Sequence, residues 1–500
     1  MSTIRKQSII SSIVVYLGFA LGLFNTYLFT RQGGFTEGQY GLTNTFIAFA
    51  NIMFSVASLG MPAYISKFFP YYQAHENKTS NDQITWALLI SCIGFLVVVL
   101  LGLAFKNHLV DRIFGNAPEL PRYYYWTFPF GFGYTLFMVL EAYAWQQRES
   151  IASNLLKEVV FRFFVTVLIV LTTLNFIHDF NTFIAIYSFL YLIVAITLVV
   201  YFSKKGQLHF TISVSRVTKR FLRKIKALVL FVWGGGLVFN VASVFDGIVI
   251  AAVLPNGMAA AGVFYLAQNI SSLMTAPQRA VISASVGPLS KAWKEKDYAK
   301  IRLIYHRSSI NQLIFASTLF CLIWLNFQDG ITTFHLRESY RQAQWVFFFI
   351  GLTKIIDMGT GVNAQVIATS TLWRFELYSG LILLALALPL NYILTRHLGI
   401  IGPAISNLIA FALYNLIRCL FLWNKFKMQP FDIRSLFTIC LAFACYLVVY
   451  WCFDPYQGFA WMVVRSLSFL IIFAAGMFIL RLSPDVLQVW NTLKNRLKPG

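Results

Sequence analysis

Residues 9–30 read Ile-Ile-Ser-Ser-Ile-Val-Val-Tyr-Leu-Gly-Phe-Ala-Leu-Gly-Leu-Phe-Asn-Thr-Tyr-Leu-Phe-Thr, just after Arg5 and Lys6. A secretory leader has an apolar core of about 7–15 residues and ends at a small-residue cleavage site. This run is longer and offers no such site. It is long enough to cross a bilayer as a helix, for which about 20 apolar residues suffice. It therefore reads as a retained first membrane helix.

Runs of this kind recur along the whole chain. The first six spans are expected at 9–30, 42–66, 84–105, 124–145, 159–178 and 181–202. Six more are expected at 228–254, 259–286, 308–328, 345–368, 373–394 and 399–422, and a last pair at 435–453 and 459–480. The expected fold is an all-α integral membrane protein of about 14 transmembrane helices, with both termini on one side.

Composition agrees. The 500 residues are 58% hydrophobic, 17% aromatic and 12% charged, with a net charge of +21. A soluble domain carries about a quarter charged residues, so the surplus apolar surface has to face lipid. A basic chain can bind nucleic acid, but such proteins gather their charge on a polar domain, and none is visible here. No nucleic-acid partner is expected.

Lysine and arginine assign the sides. With the N-terminus inside, the inner segments hold Arg5, Lys6, Lys67, Lys78, Arg148 and Lys157. The acid-free 203–227 stretch adds Lys204, Lys205, Arg216, Lys219, Arg220, Arg223, Lys224 and Lys226. Further along lie Lys291, Lys294, Lys296, Lys300, Arg302, Arg307, Arg374, Lys425, Lys427 and Arg434, then Arg481, Lys494, Arg496 and Lys498. The outer segments hold Arg31, Lys106, Arg112, Arg122, Arg337, Arg341 and Arg396. The bias is about fourfold and places both termini in the cytoplasm. The basic loops serve first as topology signals and second as contacts for anionic lipid.

The 203–227 stretch divides the chain. The expected organisation is an N-terminal six-helix bundle (1–202), a basic cytoplasmic linker (203–227), a second six-helix bundle (228–422), and two added helices with a basic tail (423–500). An internal repeat supports this. The second span opens at Gln39-Tyr40-Gly41-Leu42 and the eighth at Ala261-Gly262-Val263-Phe264. Each carries a proline, Pro62 and Pro277, and a second after the exit. The twelfth opens similarly at Gly399-Ile400-Ile401-Gly402-Pro403. Pro62, the Pro129-Phe130-Gly131-Phe132-Gly133 run, Gly234-Gly235-Gly236 and Pro389 mark either bends beside a cavity or close packing, as Gly18 and Gly22 do.

Charge in the apolar middle of a helix is costly and points to function. Asp246, Lys354 and Asp357 are the clearest cases, expected to line a polar cavity. Lys354 and Asp357 lie three residues apart on one face and can pair. Arg279 lies toward the inner end of the eighth span. Asn25 and Gln268 are polar additions in the same set of helices, as are Asn44, Asn269, Asn363 and Gln365, each of which also fits a helix–helix contact. Glu141, Arg162, Glu376 and Arg418 sit near inner ends, and Arg465 near an outer end, where snorkelling makes charge cheap. The six cysteines lie in apolar stretches with no C-x-x-C pair. No H-E-x-x-H, P-loop or G-x-S-x-G occurs, so no metal site, cofactor or catalytic set is expected.

The stretches Thr30-Arg31-Gln32-Gly33, Gly38-Gln39-Tyr40-Gly41-Leu42, Ser58-Leu59-Gly60-Met61-Pro62 and Ser66-Lys67-Phe68 resemble the opening signature of polysaccharide flippases. These are the O-antigen and capsule flippases of the multidrug/oligosaccharidyl-lipid/polysaccharide (MOP) superfamily. Phe264-Tyr265-Leu266-Ala267-Gln268 through Ala276-Pro277 is similar to the family too, as is the 6+6+2 helix count. The resemblance implies two six-helix bundles around a central cavity, alternating access, and a polyprenyl-diphosphate-linked oligosaccharide moved to the outer leaflet of a bacterial inner membrane. It implies membrane lipids as partners and a coupling ion, H+ or Na+. Related lipid II flippases carry several arginines in helices 1, 2 and 8, whereas here only Arg279 matches, which argues against a lipid II cargo. Two other functions fit the same sequence less closely: a cation-coupled drug exporter of the multidrug and toxic compound extrusion (MATE) type, using Asp246 and Asp357, and a membrane-embedded polysaccharide polymerase, against which the short outer loops count.

Overall fold

In hydrocarbon no water is present to satisfy backbone N–H and C=O groups, so a chain this apolar has to close its hydrogen bonds within each segment. The computed structural model describes residues 3–76, 80–372 and 374–483, and these are mostly helical with no strand among them. Lys78, Lys494, Arg496 and Lys498 lie outside the described residues. The chain forms two compact units, Met1–Tyr265 and Leu266–Gly500.

The first unit contains α1 (Thr3–Thr30), α2 (Glu37–Ala57), α3 (Met61–His75), α4 (Gln83–Ala104), α5 (Glu119–Tyr123), α6 (Thr127–Gln146), α7 (Ser150–Asn154), α8 (Phe161–Thr173), α9 (Phe180–Lys204), α10 (Arg216–Val253) and the start of α11 (Gly257–Ser272). The second contains α12 (Ala276–Glu295), α13 (Tyr298–Thr333), α14 (Ala343–Gly359), α15 (Asn363–Ala368), α16 (Arg374–Leu398), α17 (Gly402–Phe426), α18 (Ile433–Phe453) and α19 (Phe459–Ile479). Every one of the fourteen expected spans falls on a helix or on consecutive helical segments. Large apolar side chains stay on the outside, as Ile93, Leu96 and Leu100 of α4 do at 55%, 57% and 57% exposure. Such a face suits lipid.

Three spans expected as single helices are interrupted. Span 42–66 breaks at Ser58–Gly60, where Leu59 and Gly60 take positive φ (45° and 74°), and α3 restarts with Pro62 in its first turn. Proline fits there because a first-turn N–H has no intrahelical acceptor. Span 259–286 tightens to a 3-10 turn at Leu273–Thr275, and α12 likewise restarts with Pro277 in its first turn. Span 345–368 breaks at Thr360–Val362. The two spans that the sequence pairs by a glycine entry and a proline are thus both interrupted beside that proline.

Several breakers turn out to be packing devices. In the first unit Gly41 of α2 lies on the Met258 carbonyl of α11, and Gly262 lies on the Glu37 carbonyl, so a Cβ at either would overlap backbone. Gly131 and Gly133 admit Met53 and the backbone of α9 at Leu192, and α6 runs through them unbroken. Gly18 faces the backbone of Glu158 in a π-helical turn (Leu155–Val160). The Gly234–Gly236 triplet differs, since nothing lies within 4 Å of a Cβ placed there.

Part of the basic 203–227 stretch is helical. Ser215 caps α10, and Asp82 accepts from the Ser215 N–H at 2.9 Å and from the Thr218 hydroxyl at 2.9 Å. Glu76 accepts from the Val217 N–H at 3.2 Å. Two carboxylates at a helix N-terminus oppose its positive dipole end. Arg216, Lys219, Arg220, Arg223, Lys224 and Lys226 stay exposed.

Gly41→Ala already pushes α2 off α11. Overpacking of this kind costs about 1–3 kcal/mol, so the purified variant should unfold at a lower temperature in detergent than the parent, Gly41→Val at a lower one still, and Gly234→Ala should leave the midpoint in place.

Candidate functional site

The break between α14 and α15 leaves backbone groups without helical partners, and their partners come from α13. Ser309 donates its hydroxyl to the Gly359 carbonyl, and the Val362 N–H donates to the Ser308 hydroxyl at 3.2 Å. Gly361 at the turn has φ of 67°, and a Cβ there would stand 2.8 Å from both the Ser308 hydroxyl and the Ser309 nitrogen. Only glycine satisfies both the backbone angle and the space.

This break aims polar side chains at α17. Asn415, 1% exposed, is their hub. Its Oδ1 accepts from the Thr360 hydroxyl at 2.9 Å and from Asn363 Nδ2 at 2.8 Å. Its Nδ2 donates to Asp357 Oδ1 at 3.3 Å. The other Asp357 oxygen accepts from Gln278 Nε2 of α12 at 2.9 Å. The carboxylate is therefore held by two neutral amides.

One helical turn along α17 the same network becomes ionic. Arg418 is 2% exposed and pairs with Glu376 of α16. Its Nε donates to the Ser379 hydroxyl at 3.2 Å, and its guanidinium stacks 3.8 Å above the Tyr414 ring. Arginine suits this position because its planar fork bonds and stacks at once. The snorkelling expected of Arg418 and Glu376 is thus not what happens, since the buried arginine pairs with the acid inside the protein. Arg465 does likewise, pairing with Asp329 at 8% and 6% side-chain exposure.

Of the expected site residues, Asp357 enters the network directly. Lys354, one turn earlier on α14, makes no ion pair with it. Lys354 is half-buried and, among the described residues, has no hydrogen-bonding or ionic partner. Arg279 is exposed on α12, next to Gln278. Gln268 is half-buried on α11 with no hydrogen bond among the described residues. Asn25 and Asp246 belong to the first unit. Asn25 donates to the Arg162 carbonyl at 2.9 Å and accepts from the Thr166 hydroxyl at 2.6 Å, so it ties α1 to α8. Asp246 is half-buried on α10 beside Gly247, against which the Tyr265 ring packs.

Sequence reasoning passed over Gln278 and Asn415 and set Arg418 aside. A usable signal existed: Asn415 and Arg418 are three residues apart, on one face of a span that also carries Tyr414.

No protein-family model and no curated relative matches the chain. Solved structures do. The lipid II flippase MurJ in an inward closed conformation matches with a TM-score of 0.73 at 14% identity, covering 94% of this chain and 98% of that one. An inward-facing MATE-family multidrug resistance transporter of the MOP superfamily matches at 0.61 and 15% identity, covering 83% and 94%. The Vibrio cholerae MATE transporter VcmN in its bent form matches at 0.51 and 13% identity, covering 84% and 96%. The chain is therefore a multi-pass membrane protein with the fold of these flippases and transporters.

Leaving one partner of a buried ion pair uncompensated costs about 3–5 kcal/mol. Glu376→Ala should lower the thermal midpoint in detergent accordingly, and the double variant Glu376→Leu/Arg418→Met should recover most of it.

Proposed function

We propose that the chain is a flippase that carries a polyprenyl-diphosphate-linked oligosaccharide from the cytoplasmic to the outer leaflet of a bacterial inner membrane, for surface polysaccharide synthesis. Both termini are cytoplasmic. Residues 1–202 and 228–422 act as the two bundles of an alternating-access cycle, with 203–227 as their cytoplasmic link and 423–500 as an addition.

Lys354 carries this proposal. A cation in the middle of a membrane helix is costly unless an anion or water relieves it. The neighbouring acid, Asp357, is occupied by Gln278 and Asn415, and the lysine has no partner among the described residues. An anionic headgroup is the partner such a cation lacks, and a diphosphate is a strong acceptor for charge-assisted hydrogen bonds. The likeness to the lipid flippase also spans more of this chain than the likeness to the drug exporter, 94% against 83%.

Asp357 favours a second function, a cation-coupled drug exporter. A carboxylate held only by neutral amides can exchange H+ or Na+ without breaking an ion pair. Drug resistance on overexpression that Asp357→Asn or Asp246→Asn abolishes would establish it.

Deletion of the gene should leave lipid-linked glycan on the inner leaflet and reduce surface glycan, and mass spectrometry of the trapped material identifies the cargo. Glycan reaching the outer leaflet normally would overturn the flippase proposal. In a complemented strain Lys354→Ala should cut surface glycan about tenfold or more, the equivalent of one charge-assisted hydrogen bond, and Lys354→Arg should retain it.

A further inference from the structure

At the C-terminal end of α13, remote from that helix's basic start, α13, α14, α18 and α19 enclose a cavity of about 390 Å³. Small-molecule pockets run from about 300 to 1,000 Å³. Its lining includes four aromatic rings, Trp324, Tyr446, Tyr450 and Tyr456. These rings are held in place. Trp324 Nε1 donates to the Tyr446 hydroxyl at 3.3 Å, the Tyr446 and Tyr450 rings stack at 5.8 Å, and Tyr456 stacks on Trp461 at 4.2 Å.

The lining also holds the polar side chains Gln328, Thr332, Gln344 and Gln457. Arg341 orders it, donating to Gln328 Oε1 at 2.9 Å and to the Thr332 hydroxyl at 3.1 Å. The charges on the lining cancel: Arg341 and Arg465 against Asp329 and Asp454. Arg341 is further paired with Glu338, and Arg465 with Asp329. Asp329 also accepts from the Gly458 N–H and the Thr333 hydroxyl, both at 3.0 Å. An anion would gain little in such a field. Arg465 is 7% exposed and also donates to the Leu325 carbonyl at 3.1 Å, so its charge is spent inside the protein.

We propose that this cavity binds a single neutral sugar residue. A pyranose has an apolar C–H face that lies against an aromatic ring and a rim of hydroxyls that both donate and accept. Amides, hydroxyls and a carboxylate supply the matching acceptors and donors. The site goes beyond the flippase proposal and does not depend on it. A glycan cargo would use it, but binding is read without transport.

The test is saturation-transfer-difference NMR on the full-length protein in nanodiscs, with glucose, galactose and N-acetylglucosamine as neutral probes and galacturonate as the anionic one. At least one neutral sugar should show transfer. Tyr450→Ala, which removes a stacking face, should weaken it about tenfold, and Gln344→Leu about fivefold. Unchanged thermal midpoints for both variants exclude misfolding, and Tyr450→Phe, which keeps the ring, should bind as the parent does. No transfer to any neutral sugar, transfer that survives both substitutions, or transfer to galacturonate alone would each overturn the proposal.

Discussion

A polar group that enters the membrane has to bring its partner with it, and the second unit is arranged around that requirement. The break at Thr360–Val362 exposes backbone in the middle of a span. Ser308 and Ser309 of α13 answer it from one side, and Asn415 of α17 gathers the side chains around it from the other. Because Asn415 spends every bond it has, the positions of α13, α14, α15 and α17 are fixed relative to one another. Replacing it with an apolar residue would take a hydrogen bond from three partners at once, Thr360, Asn363 and Asp357.

The first unit meets the same requirement by closeness. It holds ion pairs of its own, Glu141 with Lys157 and Arg162 with Glu158, and adds glycines that let backbones touch. Gly41 against Met258 and Gly262 against Glu37 are reciprocal. Such contacts maximise van der Waals attraction where apolar lipid supplies no hydrophobic drive between helices. At the start of α10 the buried carboxylate of Asp82 and that of Glu76 hold the helix N-terminus.

The fourteen spans were legible because hydropathy alone decides whether a segment crosses lipid. The interruptions were less so. Pro62 and Pro277 announced a disturbance, but proline cannot say whether a helix bends or restarts. The break at Leu59 places a non-glycine residue in the left-handed region, which no propensity predicts. Depth was the weakest inference. A span boundary uncertain by a few residues shifts a side chain by about one turn, 5.4 Å, which is the difference between a snorkelling Arg418 and a buried one. Asn415 and Gln278 went unmarked because a neutral amide costs too little on a hydropathy scale to stand out.

Buried charge in the second unit therefore falls into two kinds with opposite meanings. Arg418 with Glu376 and Arg465 with Asp329 are closed pairs, each with neutral hydrogen bonds filling part of the remaining capacity. A closed pair holds helices together and resists change, because separating it leaves two uncompensated ions. Lys354 and Asp357 are open. They share a helix face, one turn apart, yet the acid is held by amides and the lysine by nothing among the described residues. Had they paired, neither would have charge left to offer a cargo or an ion. By taking Asp357 away from Lys354, Gln278 and Asn415 preserve a cation that an anionic ligand can neutralise and a carboxylate that a proton can. In the proposed transport cycle the open groups are the ones that respond to a cargo or an ion, because their free energy still depends on what arrives.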